Sequence, residues 1–130
     1  MESGPLVLIV DDEVNMTRML KEHLAAEGYR AAVASDALQA VTLAHELKPD
    51  IIIMDINMPA GGGLTAYERL QKSMYTQIIP VVFISGVATP EIKAQVRSMP
   101  SAVFIEKPFE MGEMIGTIRK LLGDSKDLRE

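Results

Sequence analysis

Five short apolar segments, at residues 6–10, 31–34, 51–54, 81–84 and 102–105, recur at intervals of roughly twenty to thirty residues along the chain. Four are near-continuous runs of Val, Ile, Leu and Phe rather than alternating ones, the pattern of strands buried on both faces of a parallel sheet. The run at 31–34 (Ala-Ala-Val-Ala) is short and weak, as an edge strand would be.

The gaps read as helices. Met16, Met19, Leu20 and Leu24 form one apolar stripe, with Gly28 where a residue just past a helix end would stand. Asp36 is placed to cap a second helix with inward residues Ala37, Ala40, Val41, Ala44 and Leu47, stopped by Pro49. Leu64, Tyr67 and Leu70 mark a third. Thr89 and Pro90 read as the cap and first turn of a fourth, with stripe Ile92, Val96 and Met99. Met114, Ile115, Ile118, Leu121 and Leu122 mark a fifth. Strict alternation predicts a single doubly wound α/β domain, (βα)5, with a five-stranded parallel sheet and helices on both faces; the strand order expected for it is the flavodoxin-like 2-1-3-4-5. Residues 5–123 are expected to form this domain, and 124–130 a polar tail or the start of a linker.

Composition narrows the function. With 13 basic and 18 acidic residues the net charge is −5, which argues against direct binding to nucleic acid or an anionic membrane. Cysteine is absent, which excludes disulfides, Cys-ligated metal and a thiol nucleophile. No apolar run has the length of a membrane span and the opening residues do not resemble a signal peptide, so a soluble, cytoplasmic domain is expected.

In an open α/β sheet the site forms beyond the carboxyl ends of the strands. There the sequence places Asp11, Asp12 and Glu13 after the first run, Asp55 and Asn57 after the third, Ser85 and Gly86 after the fourth, and Glu106, Lys107 and Pro108 after the fifth. Strands one and three flank the switch point, so Asp11, Asp12 and Asp55 should converge. Three carboxylates in one cleft need compensating charge. Lys107 supplies part of it, and a hard divalent ion, Mg2+ rather than Zn2+ for oxygen-only ligands, would supply the rest. A metal and a lysine beside an exposed aspartate suit a dianionic phosphoryl group, with the carboxylate as nucleophile. Singly, each residue reads as a helix cap or turn; the conjunction at four of five strand ends does not.

On these residues the chain resembles the receiver domain of two-component response regulators over essentially its whole length. The resemblance rests on Asp11-Asp12, on Asp55 leading into Asn57-Met58-Pro59, on Ser85, and on Lys107-Pro108-Phe109. It implies a phosphorelay signalling domain rather than a metabolic enzyme, one that catalyses its own phosphorylation and dephosphorylation at Asp55. It further implies Mg2+ held by the Asp12 and Asp55 carboxylates, by the Asn57 backbone carbonyl and, directly or through water, by Asp11, a phosphoryl group met by Lys107 and Ser85, and a cis Lys107–Pro108 bond. The implied switch pair is Ser85 and Phe104. The implied partners are a histidine kinase or phosphotransfer protein and an effector at the face of helix four, strand five and helix five; a homodimer, and whether the domain stands alone or belongs to a larger regulator, stay open. The chain departs from the pattern at Ala60-Gly61-Gly62-Gly63, where only Gly63 fits, and at Ser98-Met99-Pro100-Ser101-Ala102, where Pro100 should end helix four early.

Three other readings were weighed. An aspartyl phosphatase would want a second acid two residues after its nucleophile, where Asn57 stands. A nucleotide-binding module would want a glycine-rich loop after strand one, where three acids stand. A degenerate docking scaffold is disfavoured by the complete residue set. His23 and His45, without a ligand partner at helical spacing, read as solvated, and so do Lys93 and Glu106; Met16, Met19 and Met99 read as core.

Overall fold

The computed structural model describes residues 4–58 and 62–123. Its elements follow in the order β1 (Leu6–Val10), α1 (Val14–Ala26), β2 (Arg30–Ala34), α2 (Ala37–Leu47), β3 (Ile51–Asp55), α3 (Gly62–Gln71), β4 (Val81–Ser85), α4 (Pro90–Arg97), β5 (Ala102–Glu106) and α5 (Met111–Leu121). All strand pairs are parallel and the sheet order is β2-β1-β3-β4-β5, as expected. The weak second run forms an edge.

Alternation along each strand sorts the core into two layers. Leu8, Val10, Ile52, Met54, Val81 and Phe83 face α2, α3 and α4, meeting Ala40, Ala44, Tyr67, Leu70 and Val96. Val7, Ile9, Ile51, Ile53, Val82 and Ile84 face α1 and α5, meeting Leu20, Leu24, Met114, Ile115 and Ile118. Burial of apolar side chains on both sheet faces is the main term holding this architecture together. Tyr67 and Phe83 add an edge-to-face contact at 5.5 Å.

Helix ends follow local chemistry. Asp36 Oδ1 accepts from the Gln39 N–H at 2.8 Å, and Thr89 Oγ1 accepts from the Ile92 N–H at 3.1 Å with Pro90 in the first turn. Gly28 follows α1 with φ of 92°, open to a residue without Cβ. At the end of α2 the left-handed position is taken by Lys48 (φ 50°), just before Pro49.

Three expectations need correction. Met19 and Leu47 are not core: they are 39% and 41% exposed, because each sits at the margin of a stripe that other residues fill. Met99 lies beyond α4, which ends at Arg97 ahead of Pro100; it still packs half-buried against the core. Asp55, Ser85 and Glu106 do not follow their strands but end them. The ladder runs one step further than hydrophobicity suggests: Asp55 pairs with Ile84, and Ser85 with Glu106. Pro59, Ala60 and Gly61 of the glycine-rich loop, and the tail from 124 on, lie outside the described residues.

Candidate functional site

The carboxyl edge of the sheet gathers the polar residues that the sequence places there. Asp55 ends β3 in the centre, Ser85 ends β4, Asp11 directly follows β1 and Lys107 directly follows β5. Backbone bonds prolong the ladders past these residues: Asp11 N–H to Ala34 O at 3.1 Å, Ile56 N–H to Ile84 O at 2.9 Å and Lys107 N–H to Ser85 O at 2.9 Å. The functional groups therefore stand on the rigid sheet rather than on free loops. The Lys107–Pro108 bond is cis.

Lys107 Nζ donates to Asp11 Oδ2 and to Asp55 Oδ2, each at 3.1 Å. The other oxygens are also engaged: Asp11 Oδ1 accepts from the Glu13 N–H and Asp55 Oδ1 from the Asn57 N–H, both at 3.0 Å. Asp11 and Asp55 are 2% and 6% exposed, whereas Asp12 is exposed. Asp55, expected to be exposed, is thus a buried carboxylate, because β3 is the central strand and carries it to its last paired position.

Burial pushes the Asp55 carboxyl above its ordinary pKa of 3.8. The bonds from Asn57 and Lys107 and the charge of Lys107 pull the other way, and the Asp11 charge adds to the rise. Burial alone would lower Lys107, but hydrogen bonding and charge from Asp11, then Asp55, hold its ammonium above the usual 10.5. The site thus holds one stabilised cation among acids that are short of positive charge.

Oxygens of Asp11, Asp12 and Asp55 all lie within 4.8 Å of one another. Oxygens around one small divalent ion stand about 3 to 4 Å apart, given bonds of roughly 2.1 Å, so this cluster closes on such an ion with small side-chain movements. The donors are hard oxygens, with no nitrogen or sulfur among the three side chains, which fits Mg2+ and not Zn2+.

Ser85 is fully buried. Its hydroxyl donates to Val87 O at 3.1 Å and accepts from the Val87 N–H at 2.9 Å and from Asn57 Nδ2 at 3.1 Å. The contact with the Asn57 amide is one the sequence reading missed, since no local signal pairs residues on two different strand ends. Phe104 is half-buried on β5 and lines a groove of about 470 Å³ between α4 and α5 with Lys93, Val96, Arg97, Glu106 and Glu113. Lys93 and Glu106, read from sequence as separately solvated, face each other across this groove at 3.9 Å. His23 and His45 are exposed and away from the cluster, as expected. Among the described residues no helix is long and apolar enough to cross a membrane.

Comparison with known proteins finds relatives across nearly the whole chain. The family model described as "Response regulator receiver domain" matches residues 7–119. The chain is 30% identical over 120 residues to the polar-differentiation response regulator DivK of Brucella anthropi, covering 92% of this chain and 97% of that one. It is 30% identical over 118 residues to the DNA-binding dual master transcriptional regulator RpaA of Synechocystis, covering 91% of this chain and 49% of RpaA; it spans about half the length of that relative. Among solved structures, the receiver domain of the Francisella response regulator 1452 is similar, with 26% identity, a TM-score of 0.85 and coverage of 94% and 99%. The receiver domain of a sensor histidine kinase from Pseudomonas aeruginosa, solved with a magnesium ion in its active-site cleft, shares the fold at a TM-score of 0.85 and 22% identity, covering 94% of this chain and 100% of that one.

Proposed function

The chain belongs to the response regulator receiver family of two-component signalling, and from that membership we propose that Asp55 is its phosphoacceptor and that phosphorylation switches a partner-binding surface. The observation that carries this reading is the cluster itself: a buried Asp55 sharing Lys107 with Asp11, beside the third acid, Asp12.

In the proposed reaction an Asp55 carboxylate oxygen attacks the phosphorus of a phosphohistidine, on a histidine kinase or phosphotransfer protein, or of a small phosphodonor. An O–P bond forms as the P–N bond of phosphohistidine, or the P–O bond of an acyl phosphate donor, breaks; the imidazole leaves with the electron pair and takes up a proton, and the acyl donor leaves as its carboxylate. Water later attacks phosphorus and releases inorganic phosphate, restoring the carboxylate. Lys107 neutralises one phosphoryl oxygen and Ser85 donates to another once its proton leaves Val87 O. Asp11, Asp12, Asp55 and the Asn57 backbone carbonyl are the proposed Mg2+ ligands. The bound ion would neutralise charge on the phosphoryl oxygens in the transition state.

The added group carries about −1.5 to −2 charges and strong acceptor oxygens, enough to draw Ser85 and Lys107 inward. Movement of the Ser85 loop would give the Phe104 ring room to turn in from its groove, changing the α4–β5–α5 face that an effector would meet. The proposed setting is the cytoplasm.

Incubation with acetyl phosphate and Mg2+ followed by intact mass measurement tests the reading. A gain of one phosphoryl group that disappears in Asp55→Asn and in excess chelator is expected. Undiminished labelling of the variant, or labelling without a divalent cation, would overturn it.

A further inference from the structure

A hydroxyl has one proton and two lone pairs, and Ser85 has all three engaged. The proton goes to Val87 O, and the lone pairs receive the Val87 N–H and the Asn57 amide. The Asn57 amide presents its NH2 end to Ser85, which agrees with the hydroxyl proton lying on Val87 O. Ser85 is buried, while the turn it holds is open: Val87 is 54% exposed, and a Cβ built on Gly86 would meet nothing within 4 Å. Among the described residues nothing packs where a Gly86 side chain would stand, so the turn has room on that side.

Asn57 touches both the proposed phosphoacceptor and Ser85. Its backbone N–H donates to Asp55 Oδ1 and its side chain to Ser85 Oγ. The geometry points to the Asn57 side-chain amide as a positioning residue that latches the Ser85 hydroxyl, and with it the turn through Val87, in the resting direction. This inference rests on the phosphoryl reading given above. A phosphoryl group on Asp55 claims the Ser85 proton by breaking its bond to Val87 O, and drawing the hydroxyl toward Asp55 also shifts the oxygen away from the Val87 N–H and the Asn57 amide, so each bond that favours the resting position opposes the switch by its own free energy. The Asn57 amide is one of them, and the residue that carries it also registers changes at the Asp55 carboxylate through its own N–H.

The test uses beryllofluoride, a phosphoryl mimic, at saturating Mg2+ on the whole chain. Asn57→Ala should bind it more tightly by roughly two- to tenfold, the span of one neutral hydrogen bond. The gain should vanish when the same substitution is made in a Ser85→Ala background, which a merely structural role of Asn57 would not produce. Unchanged or weaker binding by Asn57→Ala overturns the latch, and so does an equal gain with and without Ser85. Failure of the unsubstituted chain to take beryllofluoride overturns the phosphoryl reading and the latch together, whereas binding without the gain overturns the latch alone. A second measurement needs no variant: the Asn57 side-chain amide resonances should stand apart from those of free amides in the resting protein and move to the free position on saturation. Free-position resonances at rest would overturn the proposal.

Discussion

Lys107 Nζ lies 3.1 Å from Asp55 Oδ2 across a sequence separation of 52 residues, and the same nitrogen is equally close to Asp11 Oδ2. One ammonium thus serves two buried acids, with the exposed Asp12 close by. Breaking such a pair from one side strands a buried charge, whereas adding a cation relieves the excess of negative charge. The stability and metal dependence of the chain follow from this imbalance.

The first prediction concerns pH. The raised pKa of Asp55 means that the folded chain holds this proton more tightly than the unfolded one. Its contribution to stability is therefore fully present below about pH 3.8 and is lost as pH rises through the folded value. In chelator at neutral pH, Asp55→Asn should be more stable than the unsubstituted chain by on the order of 1 kcal/mol. The difference should close below pH 3.8, where both side chains are neutral. Denaturant melts across the acid range check this; a variant less stable at neutral pH would refute it. Lys107, whose pKa is also raised, acts with the same sign at the alkaline end: its contribution is fully present below 10.5 and fades at higher pH.

Asp12→Ala and Asp11→Ala should separate metal binding from folding. Asp12 is exposed, so its loss should weaken Mg2+ binding with little effect on metal-free stability. Asp11 holds Lys107 and the Glu13 N–H, so its loss should lower stability by about 1 to 3 kcal/mol and weaken Mg2+ less than Asp12→Ala does. Mg2+ titration and thermal melts of the two variants decide it; equal affinities would count against the assignment of Asp12 as the more direct ligand.

Gly63→Ala should damage the site from behind. A Cβ at this position in α3 would stand 2.5 Å from the Asp55 carbonyl oxygen and 3.0 Å from the Met54 side chain. Backbone cannot yield as a flexible side chain does, so a loss of roughly 1 to 3 kcal/mol is expected, together with slower Asp55 labelling. Gly116→Ala in α5, where a Cβ meets nothing within 4 Å, is the control and should be neutral or slightly stabilising.

The switch prediction concerns the face formed by α4, β5 and α5. On adding beryllofluoride and Mg2+, NMR shift changes should spread from Asp55 through residues 87–106, Phe104 included. Ser85→Ala should shrink that spread while leaving Mg2+ binding nearly intact. Changes confined to the loops around Asp12, Asp55 and Lys107 would show acceptance of the group without a switch.

Local chemistry made much of this protein legible. Apolar runs of five or fewer residues separated by helical stripes made the parallel sheet readable from spacing, and the convergence of Asp11, Asp12, Asp55 and Lys107 followed once the flavodoxin-like order 2-1-3-4-5 was taken for it. Asp36, Thr89 and Pro90 specified their helix ends because a cap depends only on neighbours three residues away. Stripe margins were less legible. Met19 and Leu47 carry the right periodicity, but which marginal residue is covered depends on what packs opposite.

What the sequence by itself determined is the set of chemical groups and the sheet edge that carries them, because strand order and residue type are local and topological matters. Only the tertiary structure decided that Asp55 is buried while Asp12 is exposed, that one Lys107 serves two acids, and that Asn57 donates to Ser85. Those are relations between separate strand ends. They depend on how far each ladder runs and on which way each side chain leaves it, and these are set by packing between segments that no local pattern encodes.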